Sequence, residues 1–147
     1  HERILLGAGD PSAGDGAVRF AFREAEARGC VLDVVRAWRC PAYDTGDHPA
    51  RAGKGRCHHE DEASALLEAL LAAAVAAHPS VRVRRATVEG SAPKVLVLRS
   101  AAADLVIVGA RRGRGPAGLG LQLGRTSHTL LHHATCPVAV VPWRDGA

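Results

Sequence analysis

Methionine is absent from these 147 residues, and the aromatic set is two tryptophans, two phenylalanines and one tyrosine. So few rings are too sparse for a base-stacking platform, which argues against a nucleic-acid partner. Lysine occurs only at positions 54 and 94, so the net charge of +4 is carried almost wholly by arginine. That mild excess suits an anionic small ligand, and most of it is expected on a solvated surface. Four cysteines, at 30, 40, 57 and 136, are too few and too scattered for a disulfide framework. A reducing cytoplasm is the expected compartment. No long hydrophobic run occurs either: the stretches 66–77 and 101–110 are too short or too interrupted to span a bilayer. No basic start with an apolar run and cleavage site is seen, so no signal peptide is expected. With His1 first and no methionine, the chain is expected to be less than a whole translated product.

Hydrophobic residues nevertheless make up 47% of the chain against 23% charged, enough for one buried core and one domain over 1–147. The run Arg3 to Ala8 reads as a buried strand, and the turn cluster Asp10 to Gly16 comes after it. Val18, Ala21, Phe22 and Ala25 recur at helical spacing until Gly29 stops the helix. Val31 to Ala37 is a second strand. From Trp38 to His58 the chain is polar and rich in glycine, proline and charge, and a long loop is expected. Ala63, Leu66, Leu67, Leu70, Ala74 and Ala77 form the apolar stripe of a helix ended by Pro79. Val81 to Val88 alternates as a strand near a sheet edge should. A short helix is expected over Ala92 to Ala101, and the cleanest buried strand runs from Asp104 to Gly109. A glycine- and arginine-rich loop, Ala110 to Leu123, leads into a helix from about Arg125 to Ala134. Val138 to Val141, between Pro137 and Pro142, is a last strand, and the two prolines place it at an edge.

Five strands alternating with four helices give a single doubly wound α/β domain, because crossovers of this length force parallel strands. Ligands of such sheets bind at the carboxyl ends of the strands. Two segments meet there if the first and fourth strands are neighbours: Gly7 to Ser12 and Gly109 to Thr126. In the second, glycines allow close backbone approach, and they lead into a helix N-terminus that suits a phosphate. Arg111, Arg112, Arg114 and Arg125 would add charge-assisted hydrogen bonds.

The run Ala103 to Gly115, with Asp104-Leu-Val-Ile-Val-Gly109 at its centre, and the run Leu121 to Pro142, with His132-His-Ala-Thr-Cys-Pro137, resemble the C-terminal signature of universal stress proteins. The Ile4–Gly9 strand, the helix after it and the Leu32–Trp38 strand are similar to that family too. The resemblance covers nearly all of the chain except 40–58. It implies a five-stranded parallel sheet in the order 3-2-1-4-5 with helices on both faces, of the adenine nucleotide alpha hydrolase type. It also implies a homodimer through the Val138–Val141 edge strand and no established catalytic reaction.

Many members of that family hold ATP with Gly-x2-Gly-x9-Gly followed by Ser or Thr, and with an Asp just after the first strand. Here Gly109, Gly113 and Gly124 give Gly-x3-Gly-x10-Gly. Arg125 stands where the hydroxyl residue would be, with Thr126 one place late. Gly9 takes the aspartate position, and Asp10 is displaced by one. Glycine has no side-chain acceptor. The expectation is therefore a non-enzymatic, dimeric stress-response protein without tight ATP binding. The alternative is an ATP-binding member, with Gly109, Arg111, Gly113, Gly124, Arg125 and Thr126 around the phosphates and Asp10 and Ala37 toward ribose and adenine. A nucleotide hydrolase or phosphotransferase ranks third, since no residue pair is poised as a base.

Other patterns carry less. Gly53-Lys-Gly55 lacks the length and the Ser/Thr of a phosphate loop, and Gly7-Ala-Gly9 lacks the third glycine of a dinucleotide fingerprint. Cys40, His48, Cys57, His58 and His59 fit no zinc-site spacing, and no metal is expected. His128, His132 and His133 are read as packing and as charge satisfaction at a helix C-terminus.

Overall fold

A computed structural model describes residues 2–9, 16–39, 49–112, 121–122 and 124–143. Its elements are β1 (Arg3–Gly7), α1 (Gly16–Arg28), β2 (Val31–Trp38), α2 (Pro49–Ala77), β3 (Val83–Glu89), α3 (Ala92–Ser100), β4 (Leu105–Arg112), β5 (Leu121–Gln122), α4 (Arg125–His133) and β6 (Val138–Trp143). β1, β2, β3, β4 and β6 form a parallel sheet in the spatial order β3-β2-β1-β4-β6. This is the five-stranded 3-2-1-4-5 arrangement expected from the sequence.

Alternation along the strands divides the core between two layers. Ile4, Leu6, Leu32, Val34 and Ile107 point to one face, where Val18, Ala21, Phe22 and Ala25 of α1 and Leu67 and Leu71 of α2 cover them. Leu5, Val35, Val106 and Val108 point to the other, under Val95 and Leu96 of α3 and Leu130 of α4. Phe22, fully buried, stacks obliquely near the His78 ring, whose Nδ1 pairs with Glu26 and ties the end of α2 to α1. α1 stops at Gly29, which has φ +64°; its N–H and that of Cys30 return to the Glu26 and Ala25 carbonyls at 3.4 and 3.0 Å. Only glycine takes that conformation without cost, and the two bonds satisfy carbonyls the helix leaves open.

Three expectations need correction. α2 begins at Pro49, so the latter part of the expected Trp38–His58 loop is helical. Proline at the first helical position has its φ preset and no N–H to lose, which lets the helix start ahead of two glycines that argue against it. Leu71, outside the expected stripe of α2, is fully buried, whereas Ala77 is exposed. β4 does not end at Gly109 but runs on to Arg112, because its extension finds partners on both sides: Arg111 pairs with Gln122 of β5 and with Trp143 of β6. β6 likewise continues through Pro142, and among the described residues it pairs with β4 alone. A proline there costs no ladder bond on the open side.

Candidate functional site

The carboxyl ends of β1, β2 and β4 lie side by side at one end of the sheet, where the strand order reverses and a ligand crevice is expected, and α4 starts at the same end. The first wall of that crevice is the end of β1. Gly7 is there for space: a Cβ would lie 2.8 Å from Leu96 Cδ1 and 3.1 Å from Val108 Cγ1. The Ala8 N–H reaches the Val35 carbonyl at 2.9 Å and continues the ladder one residue past the strand. Gly9 is exposed, and a Cβ there would meet nothing within 4 Å among the described residues. Its carbonyl accepts a hydrogen bond of 2.5 Å from Nη1 of Arg36, the third residue from the end of β2. Ala37, next to it, is half-buried and packs on the α3 side of the sheet.

The second wall is the far end of β4 together with β5. Gly109 is exposed within β4, opposite Val141, rather than at the start of a loop. Arg111, expected on a loop, is a strand residue paired on both sides, so β5 lies on the side of β4 away from β6, beyond the end of β1. The sequence gives no sign of this short antiparallel pairing at the end of β4, because two residues leave no periodic signal.

α4 opens at Gly124, whose carbonyl takes the His128 N–H at 3.0 Å. Gly124 at the N-cap has no side chain to cap this helix end. Uncapped N–H groups in a first helical turn suit an anionic ligand or water. Arg125 is exposed there and Thr126 half-buried. α4 is anchored by Ser127 and Leu130 against the sheet and by a contact beyond its end. Buried Ser100 of α3 donates from Oγ to the Val97 carbonyl at 2.6 Å and accepts the Thr135 N–H at 3.2 Å.

The structure thus gathers Gly9, Ala37, Gly109, Gly124, Arg125 and Thr126 at one end of the sheet. Asp10 and Gly113 lie outside the described residues, as do Cys40 and His48. Among the described residues no group of three or more His, Cys, Asp or Glu could hold a metal ion. The residue the sequence reading missed is Arg36. Its parity matches Leu32 and Val34, yet it is a cation at the end of a central strand, and that mismatch is a readable signal of a strand end facing a ligand crevice. Trp38 at the same end buries its Nε1 without a hydrogen-bond partner among the described residues.

The thiol of Cys136, just after α4, is raised above the ordinary range by burial and by the nearby charge of Asp104. It is free, as is Cys30. Its setting is the opposite of the electropositive one that activates a cysteine nucleophile.

Comparison with known proteins agrees with this architecture. Residues 1–142 match the model of the universal stress protein family. The universal stress protein Rv2005c of Mycobacterium tuberculosis is 36% identical over 141 residues, covering 95% of this chain and 45% of the relative. The chain therefore spans about half the length of the curated relatives it matches. Among solved structures, the universal stress protein UspA from Lactobacillus plantarum superposes with a TM-score of 0.71 at 19% identity, covering 95% of this chain and 96% of that one. A universal stress protein family protein from Arabidopsis thaliana, solved with AMP bound, gives a TM-score of 0.59 at 13% identity, with 96% and 91% covered. From its strand order, its family-model match and its sequence relatives, this chain belongs to the universal stress protein family.

Proposed function

We propose that the protein is a non-catalytic stress-response regulator whose crevice between β1 and β4 takes a ligand without gripping ATP tightly. One observation carries this reading: at the end of β1 the only acceptor Gly9 has, its carbonyl, is already bonded to Arg36. A nucleoside there meets a guanidinium instead of a carboxylate, and Gly9 offers its sugar hydroxyls no charged side-chain acceptor. Titration calorimetry with Mg-ATP tests it. The expected dissociation constant is weaker than about 100 μM, or roughly 5.5 kcal/mol of binding. A low-micromolar constant would refute the reading.

The open N-terminus of α4 favours a second reading, in which a nucleotide phosphate sits on Gly124, Arg125 and Thr126, with Gly109, Arg111 and Gly113 nearby and Asp10 and Ala37 toward the nucleoside. The AMP-bound Arabidopsis relative supports this by fold alone. Titration with AMP beside ATP separates the two readings. A hydrolase or phosphotransferase remains third, tested by steady phosphate release.

For the partner, the half-buried edge of β6 supports pairing with the same strand of a second copy, since an uncovered apolar edge invites association. Light scattering at micromolar concentration is expected to give twice the mass of one chain, and a monomer would count against it. No helix among the described residues is long and apolar enough to cross a membrane. Free Cys30 and Cys136 support a cytoplasmic, reducing location.

A further inference from the structure

The histidines of α4 do not pack as the sequence reading expects. His128 and His132 are both exposed, one helical turn apart on the same face, with ring centroids 4.6 Å apart and planes inclined by 37°. His133 lies around the helix, its ring 6.3 Å from that of His132. The helix itself fixes the first pair, because i and i+4 side chains stand one above the other.

We propose that His128 and His132 form a two-imidazole chelate for a late first-row divalent ion such as Cu²⁺, Ni²⁺ or Zn²⁺, on the outer face of α4. Two imidazole nitrogens at the usual metal–nitrogen length of about 2.0–2.1 Å lie about 2.9–3.4 Å apart in square or tetrahedral geometry. Rings already 4.6 Å apart reach that separation by turning about their side-chain torsions, with no backbone movement. The same i, i+4 placement of two histidines on one helix face serves metal binding in the zinc peptidase motif. Chemistry narrows the ligand further. The pair offers nitrogen donors alone, and no described carboxylate completes a cluster with it. Hard, oxygen-seeking Mg²⁺ and Ca²⁺ therefore have no reason to bind here. With two protein ligands, the remaining positions on the ion belong to water or to a donor from another molecule.

The site bears on the fold because α4 is thinly anchored, with Ser127 and Leu130 its buried residues. A bridge between its first and second turns holds the helix that starts at the ligand end of the sheet. The site does not depend on what the crevice binds.

The test is titration of the intact chain with NiCl2 and CuCl2, followed by calorimetry and by amide resonances. The expected result is saturable binding of one ion, with shifts or broadening centred on residues 125–133. His128→Ala and His132→Ala should each weaken binding at least about tenfold, while His133→Ala stays within about twofold. MgCl2 should give no response. Both substitutions are at exposed helix positions and to the best helix former, so the fold is retained. The proposal is overturned if the two variants bind like the parent, if His133→Ala weakens binding as much as they do, or if the perturbed resonances lie elsewhere in the chain.

Discussion

Placing an acid at Gly9 is the sharpest test of the crevice. Among the described residues a Cβ at this position meets no atom within 4 Å, and the Gly9 backbone is not in the left-handed region reserved for glycine, so Gly9→Asp asks no movement of them. The new carboxylate has two possible partners: the sugar hydroxyls of a bound nucleotide and the Arg36 guanidinium, which already reaches the Gly9 carbonyl at 2.5 Å. A hydrogen bond between a charged acceptor and a hydroxyl contributes about 1.5–3 kcal/mol. Against that stands the contact with Arg36, worth about 0.2–1 kcal/mol for a pair open to solvent. The balance is about 1–2 kcal/mol, or roughly a tenfold gain in affinity for ATP or AMP. Adenosine should gain as much as ATP, because the added group acts on the nucleoside and not on the phosphates. Calorimetry on the parent and on Gly9→Asp reads all three ligands. Unchanged affinity for every one of them would refute the argument that a missing acceptor limits nucleotide binding. A gain for ATP without one for adenosine would show that the acid acts elsewhere.

The remaining predictions concern the frame around the crevice. Gly7→Ala drives a methyl to 2.8 Å from Leu96 Cδ1 in a filled core. It should cost about 1–3 kcal/mol, offset by only ~0.4–1 kcal/mol from a less flexible unfolded chain, as read by urea denaturation. Leu130→Ala empties the one large buried side chain of α4 and should cost about 2–5 kcal/mol, with amide exchange accelerating first in residues 125–133. Ser100→Ala strips the acceptor from the Thr135 N–H and should cost about 1–2 kcal/mol in the same denaturation assay. Because burial raises the Cys136 thiol, the unfolded chain releases this proton first as pH climbs. The unfolded state then binds fewer protons, so the contribution of Cys136 is intact below the ordinary thiol range and is lost as pH rises through it. Cys136→Ala should flatten the fall in stability across roughly pH 8 to 10, and an unaltered slope would contradict the assignment.

How far the sequence announces the fold depends on the range of the interactions involved. β4 is legible because a central parallel strand is buried on both faces, and the run Leu105-Val-Ile-Val108 states this in four residues. α1 is legible because its buried residues keep helical spacing and Gly29 supplies the one conformation its end requires. The start of α2 is not, because Gly53 and Gly55 carry poor helix propensity while the counter-signal is the single residue Pro49. β5 exists only because β4 offers it a partner, which no local window contains. In α4, spacing alone places His128 and His132 on a common face, but it does not say whether that face meets the sheet; burial of Ser127 and Leu130 decides it.

The crevice joins both cases. Its glycines announce themselves, since a residue without a side chain at the end of a buried strand marks close approach of backbone or ligand. The hydrogen bond from Arg36 to Gly9 joins residues 27 apart and depends on β1 and β2 being neighbours in register. Once the strand order is known, however, the place of residue 36 can be reasoned out. It shares parity with buried Leu32 and Val34, and a guanidinium cannot be buried there unpaired. It must therefore lie past the edge of the covering helices, at the same end of the sheet as Gly9. An arginine at this strand position, together with a glycine at the end of the neighbouring strand, is thus a pattern that can be sought in a sequence: it marks a crevice that presents a cation where a nucleoside needs an acceptor.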